Sequence, residues 1–177
     1  MLRYRGSLGF TLIELMVVVA LVAVVATIAM PQFSLLIQSN QVQSTSNELY
    51  GALMYTRGEA VARGVPVTIT APSADGWTQG LKITSGSETL RDYSDTGLNQ
   101  QSVNATGTKV SITFGPLGIV TKANGAVCTQ GNCESIILIC SKGGTGAKGK
   151  KITIEQNGNI SSPTDAAATA GVTGCKA

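Results

Sequence analysis

GSLGFTLIELMVVVALVAVVATIAMPQF, residues 6–33, is the stretch on which the reading of this chain turns. Arg3 and Arg5 precede it, and Gly9 closes the short basic leader. From Leu15 to Met30 only Thr27 interrupts the apolar run, and the one charge beside it is Glu14. At 1.5 Å per residue, Phe10–Phe33 measures ~36 Å, enough to cross a bilayer. An unpaired carboxylate in such a segment costs roughly 2.5–3.5 kcal/mol on insertion scales, so Glu14 needs a partner. Two arginines on the short side, against a long remainder, predict a cytoplasmic N-terminus. An ordinary secretory signal is cut after its apolar region at an A-x-A-like site, whereas here Ala26 and Ala29 run into Pro31-Gln32. A plain single-span anchor would need no glutamate at its mouth.

The arrangement resembles the class III signal of type IV pilins and type II secretion pseudopilins. That resemblance implies a prepilin peptidase that cuts between Gly9 and Phe10 and methylates the new Phe10 amine. It also implies that Glu14 pairs with the Phe10 amine of a neighbouring subunit. The implied fold is α+β and pilin-like: one long N-terminal helix, membrane-spanning in its first half, packed on an antiparallel β-sheet or sandwich-like globular domain. The expected segments are a cleaved leader at 1–9, a transmembrane helix segment at 10–33, an amphipathic periplasmic half of the same helix at 34–64, and a β-rich domain at 65–177. Pro31 falls inside the helix, where a proline removes a hydrogen bond and bends the axis.

Composition agrees with one anchored domain. The chain has 177 residues, 43% hydrophobic and 13% charged, with 21 glycines and no histidine. Net charge is +3, and the two leader arginines account for most of it. That is not the balance of a nucleic-acid-binding domain. About 144 residues follow the span, one domain's worth of core. Four cysteines beyond the span suit an oxidising compartment, here the periplasm.

After Pro31 the pattern changes from apolar all round to a single stripe. Val42, Leu49, Leu53 and Ala60 recur at helical spacing, with Ala52 and Thr56 beside them, while Gln38, Asn40, Gln43, Asn47, Arg57 and Glu59 face elsewhere. Gly64 and Pro66 predict the stop. Beyond Val65 the period falls to two. PVTIT (66–70), WTQGLKI (77–83), TLRDY (89–93), KVSITF (109–114), SIILIC (135–140) and KITIEQ (151–156) read as strands. Asn157-Gly158 signals a tight turn into Asn159-Ile160-Ser161. With no crossover helices between them, the strands should be antiparallel. Ser94–Thr108 reads as a long loop.

Residues 47–69, NELYGALMYTRGEAVARGVPVTI, resemble the GspH/FimT/FimU group. There an A-x-x-x-A-R-x-E-A-x-x-R-G pattern runs from helix into first strand. Here it reads Ala52, Thr56 in place of the usual alanine, then Arg57, Glu59, Ala60, Arg63 and Gly64. Asp75, Gly76, Trp77 and Gly80, and later Phe114 and Gly118, are also similar to that group. This resemblance implies a minor, non-enzymatic subunit, FimU-like, that primes or caps a type IV pilus. Its partners would be other minor pilins, the major pilin, the prepilin peptidase and the inner membrane, with a final place at the pilus tip. A GspH-like minor pseudopilin of type II secretion is the second reading, and a FimT-like DNA receptor for natural transformation is the third. Packing explains the individual residues: Trp77 is a core anchor between helix and sheet, and Arg57 and Glu59 are a solvated helix face.

No catalytic site can be assembled. Without histidine there is no Ser-His-Asp or Cys-His arrangement, and no close pair of acids suggests acid–base work. GTGAKGKK (144–151) approaches a phosphate-binding loop, but Lys151 replaces its Ser/Thr, and a strand follows instead of a helix. No cofactor and no metal is implied, since Cys128, Cys133 and Cys140 lack zinc-ribbon spacing. Disulfides are the better use of these cysteines, and four allow three connectivities. Cys128 and Cys133 flank Thr-Gln-Gly-Asn, a hairpin tip that a local bridge would close. Cys140 would then staple Cys175, which would stabilise by ~3–4 kcal/mol in the chain-entropy model. Lys142, Lys148, Lys150 and Lys151 in a glycine-rich stretch form a candidate weak DNA patch. The G-R-x-R of DNA-binding FimT-type relatives is replaced by Gly158-Asn159-Ile160-Ser161, without either arginine, so DNA is not an expected partner.

Overall fold

Thr11 starts α1 (Leu12–Arg63), the one helix among the described residues. Its Oγ1 accepts the Glu14 N–H and its carbonyl the Leu15 N–H, both at 3.2 Å. This satisfies one of the donors that every helix start leaves open. The computed structural model describes residues 9–94, 98, 103–122, 126, 128, 133–142 and 149–166, with backbone alone at 28–32. Pro31 lies within α1. The helix stops where the sequence predicts: the Gly64 N–H donates to the Ala60 carbonyl at 3.1 Å, and Gly64 turns left-handed at φ +68°. A β-carbon is disfavoured in that conformation, and Pro66 then forbids continuation.

The chain divides into two compact units, residues 1–36 and 37–177. In the first, apolar side chains are exposed on every side of α1, from Phe10 at 84% and Leu12 at 77% to Val25 at 65%. Among the described residues no helix is long and apolar enough to cross a membrane. The described side chains of the run end at Thr27, so Leu12–Thr27 measures ~24 Å against the ~30 Å of a hydrocarbon core.

In the second unit the expected stripe is the buried one. Val42, Thr45, Ser46, Leu49, Ala52, Leu53, Thr56 and Ala60 lie in the interior, and Ser46 and Thr56 satisfy their hydroxyls on the carbonyls four residues back. This face packs into one core with two sheets. The first holds β1 (Val67–Thr70), β2 (Lys82–Ser85), β3 (Glu88–Asp92), β5 (Ser111–Phe114) and β6 (Val120–Thr121) in the order β3-β2-β1-β5-β6. The second holds β4 (Val103–Gly107), β7 (Ser135–Ser141), β8 (Gly149–Ile154) and β9 (Thr164–Ala166) in the order β4-β7-β8-β9. Every strand pair is antiparallel, and period-two burial sends Val67, Ile69, Ile112, Phe114, Ile137, Ile139, Ile152 and Ile154 inward.

Three departures from the sequence reading have physical causes. WTQGLKI is a strand only from Lys82; the segment before it turns through Gly76 N–H to Ser73 O and Gln79 N–H to Gly76 O, and Gly80 sits at φ +120°. The stretch read as a long loop contains β4, whose small residues Val103 and Ala105 carry little hydrophobic signal. β6 and β9 are two and three residues long, too short for any periodicity to register. The Asn157-Gly158 reversal is present, but as a three-residue loop. Gly158 N–H donates to Glu155 O at 3.0 Å, Glu155 N–H to Asn159 O at 2.9 Å, and Gly158 takes φ +82°, a type I turn closed by a glycine bulge.

Trp77 joins the two sheets. The segment before it lies along the free edge of β4: Trp77 N–H donates to Ala105 O at 3.2 Å and Gly107 N–H to Ala74 O at 2.8 Å. This covers an edge otherwise open to mispairing. The indole is fully buried, gives its Nε1–H to Lys109 O at 2.9 Å, and rests on Gly107, where a β-carbon would overlap the ring. Gly107→Val should therefore destabilise residues 37–177 by about 1–3 kcal/mol, the usual cost of overpacking. Gly58→Ala, which enters open space on the helix, should stabilise by up to ~1 kcal/mol. Urea unfolding of the two variants beside the parent checks both signs.

Candidate assembly site

The N-terminal features lie within six residues, 9–14. Gly9 and Phe10 precede the helix, both exposed, and nothing lies within 4 Å of where a Gly9 β-carbon would stand. Glu14 follows in the first turn of α1. The exposed N–H groups of a helix start favour a carboxylate there. Thr11 and Glu14 also have the spacing of a capping box, T-x-x-E, a start signal carried by TLIE itself.

A second surface was not foreseen. Opposite its buried stripe, α1 exposes Asn40, Ser44, Asn47, Gly51, Met54, Gly58 and Val61. Their spacings alternate four and three, the 3.5-residue repeat at which one helix faces another. A β-carbon added at Gly51 or Gly58 meets nothing within 4 Å, so a backbone can approach closely there.

The group-motif residues fasten α1 to the sheets instead of facing solvent alone. Arg57 is half-buried, not solvated as expected: its Nε–H donates to Gly118 O at 3.0 Å, holding the β5–β6 turn against the helix. Arg63 bridges Glu59 at 2.7 Å and Glu88 of β3 at 3.1 Å. The Arg63 hydrogen bond holds the Glu59 carboxyl below its ordinary range, and Glu59 raises Arg63 in turn. Arg91 of β3 stacks 4.1 Å over the Tyr55 ring and donates to Tyr93 Oη at 3.2 Å. Gln38, expected to face elsewhere, accepts from Ser141 Oγ at 3.2 Å.

Cys128 and Cys133 are bridged, their Cα atoms 5.9 Å apart. Cys140 is disulfide-bonded as well, and its expected partner Cys175 lies outside the described residues. Of the candidate lysines, Lys150 and Lys151 do not share a face. Lys142 is exposed, and Lys148 lies outside the described residues. Lys150 and Lys151 are consecutive in β8, so they point to opposite faces. Lys150 is bound to Asp165 at 2.7 Å. Among the described residues no group of three or more His, Cys, Asp or Glu is placed to hold a metal.

Comparison with known proteins fits this geometry. The prokaryotic N-terminal methylation motif matches residues 4–30, and the family described as type II transport protein GspH matches residues 45–158. No curated protein sequence matches. The crystal structure of the Pseudomonas aeruginosa (strain PAO1) type IV minor pilin FimU is similar at 28% identity and TM-score 0.54, covering 69% of this chain and 87% of that one. The minor pseudopilin EpsH from the Type 2 Secretion System of Vibrio cholerae shares the fold at 14% identity and TM-score 0.50, covering 71% of this chain and 97% of that one. This family and fold are those of structural pilins, which are not enzymes. A helix that begins with the methylation motif, continues as an exposed apolar rod and ends clasped to two antiparallel sheets is the pilin design, and the chain belongs to the GspH family of minor pilins and pseudopilins.

Proposed function

We propose that this chain is a non-enzymatic minor pilin that primes or caps a type IV pilus. The observation that carries this reading is the similarity to FimU, at 28% identity over 87% of that chain. The similarity to EpsH, at 14%, speaks for the fold alone. In this reading residues 1–9 are the leader, removed between Gly9 and Phe10 by a prepilin peptidase that methylates the new amine. Residues 10–33 then hold the subunit in the inner membrane with its N-terminus in the cytoplasm. Residues 34–64 continue the helix past a bend at Pro31, and 65–177 form the periplasmic domain. On assembly the subunit leaves the membrane for the pilus tip.

Glu14 directs that transfer. Its carboxylate is costly in lipid until the Phe10 amine of a neighbour neutralises it, so pairing and extraction favour each other. The exposed helix seam at Gly51, Met54, Gly58 and Val61 supports the same reading, because a subunit that joins a bundle needs a helix surface that neighbours can approach. The match to a family described as type II transport protein favours a second reading, a minor pseudopilin of type II secretion.

Deleting the gene separates the two. Surface pili and twitching motility should fall while protein secretion continues; lost secretion with normal piliation would establish the pseudopilin instead. The seam has its own test. Gly51→Leu with Gly58→Leu fills open space on the helix, so residues 37–177 should fold and melt no lower than before. Recovery of the double variant in sheared pili should drop severalfold, and wild-type incorporation would show that the seam faces no neighbour.

A further inference from the structure

We propose that Asn157 is a latent modification site, an asparagine whose deamidation the folded β8 turn suppresses. Asn-Gly is chemically labile because glycine leaves its backbone nitrogen unshielded. The Gly158 nitrogen loses its proton and attacks Asn157 Cγ, forming an N–C bond, and the side-chain nitrogen leaves as ammonia. Water then opens the resulting ring to aspartate or isoaspartate. No oxidant or cofactor is required.

Each group in that reaction is occupied here. The attacking nitrogen keeps its proton in a hydrogen bond to Glu155 O at 3.0 Å. The target amide is held at both ends: Asn159 N–H donates to Asn157 Oδ1 at 2.8 Å, and Asn157 Nδ2 donates to the Glu155 carboxylate at 3.1 Å. Ring closure needs the Asn157–Gly158 peptide to rotate until its nitrogen faces Cγ, and the packing forbids this. Gly158 is buried so tightly that an added β-carbon would overlap Gly118 O and lie 3.2 Å from Ile119 Cα. The residue before Asn157 is tied as well, with Val120 N–H donating to Gln156 O at 3.0 Å and Gln156 Nε2 donating to Cys128 O. The turn must therefore open locally before Asn157 can react, and the rate reports that opening. Once formed, isoaspartate lengthens the backbone where Gly158 meets Gly118, and the new carboxylate stands beside Glu155. The turn could not re-close in its original form.

The test is a time course in mildly alkaline buffer on the purified full-length protein and on a synthetic peptide of residues 152–162. Reduction followed by tryptic digestion separates the Asn157 peptide from that of Asn124-Gly125, and mass gain with isoaspartate content reads the conversion. The intact protein should deamidate at Asn157 roughly tenfold or more slowly than the peptide, because reaction proceeds only from the locally opened turn. Glu155→Ala, which removes one tether, should react faster than wild type while its melting curve stays cooperative. Equal rates in protein and peptide would overturn the proposal without recourse to any variant. So would a slower Glu155→Ala, which would mean that Glu155 assists loss of ammonia.

Discussion

Glu14 stands in the first turn of a helix whose next sixteen positions hold only one polar residue, Thr27, and whose large apolar side chains from Leu12 to Val25 are exposed. Water is the wrong surrounding for that rod, and lipid is the wrong surrounding for its carboxylate. The helix start eases the conflict, since Thr11 caps it and the open N–H groups attract negative charge. It does not resolve it, because a half-charge at a helix end does not neutralise a full one. In the proposed assembly the Phe10 amine of a neighbour would neutralise it, so the chain's own chemistry favours a neighbour.

The rest of the molecule holds a domain on the far part of that helix. One face of α1 is buried by aliphatic residues, and its flanks are fastened by specific polar contacts: Arg57 to the β5–β6 turn, Arg63 to β3, and Arg91 to Tyr55. Exposed ion pairs contribute little individually to stability. Their value here is positional, because they fix which edge of each sheet meets the helix. Glycines mark where backbones approach most closely. Gly107 admits the Trp77 ring, and Gly118 and Gly158 abut one another. Both of the latter take positive φ, so two turns interlock where side chains would keep them apart.

How much of this could be read in advance depended on the length and contrast of each signal. The helix was legible because a continuous apolar run passes into a periodic stripe that ends in Gly64 and Pro66, and six of the residues that line its buried face could be named. Strands rich in Ile and Val were legible for the same reason. β4 was not: VNATG alternates Val and Ala with polar residues too weakly to stand out, and its burial comes from Trp77 and β7, which are distant in sequence. β6 and β9 exist because longer strands recruit them. The site divided in the same way. Gly9, Phe10 and Glu14 were found as a local pattern. The helix seam was missed because glycine and asparagine look like loop residues until the opposite face is known to be buried. Arg57 was misjudged because its acceptor, the Gly118 carbonyl, lies sixty-one positions away.

The role proposed for Glu14 is subunit pairing and not insertion or folding. The most direct measurement is the ratio of Glu14→Ala to wild-type subunit in sheared pili, normalised to the processed, methylated pool in the membrane by intact mass. Pairing through Glu14 implies a normal membrane pool beginning at N-methylated Phe10 and a ratio reduced about tenfold or more, as expected for loss of a partly desolvated ion pair. A ratio near one, with the variant processed normally, would contradict it.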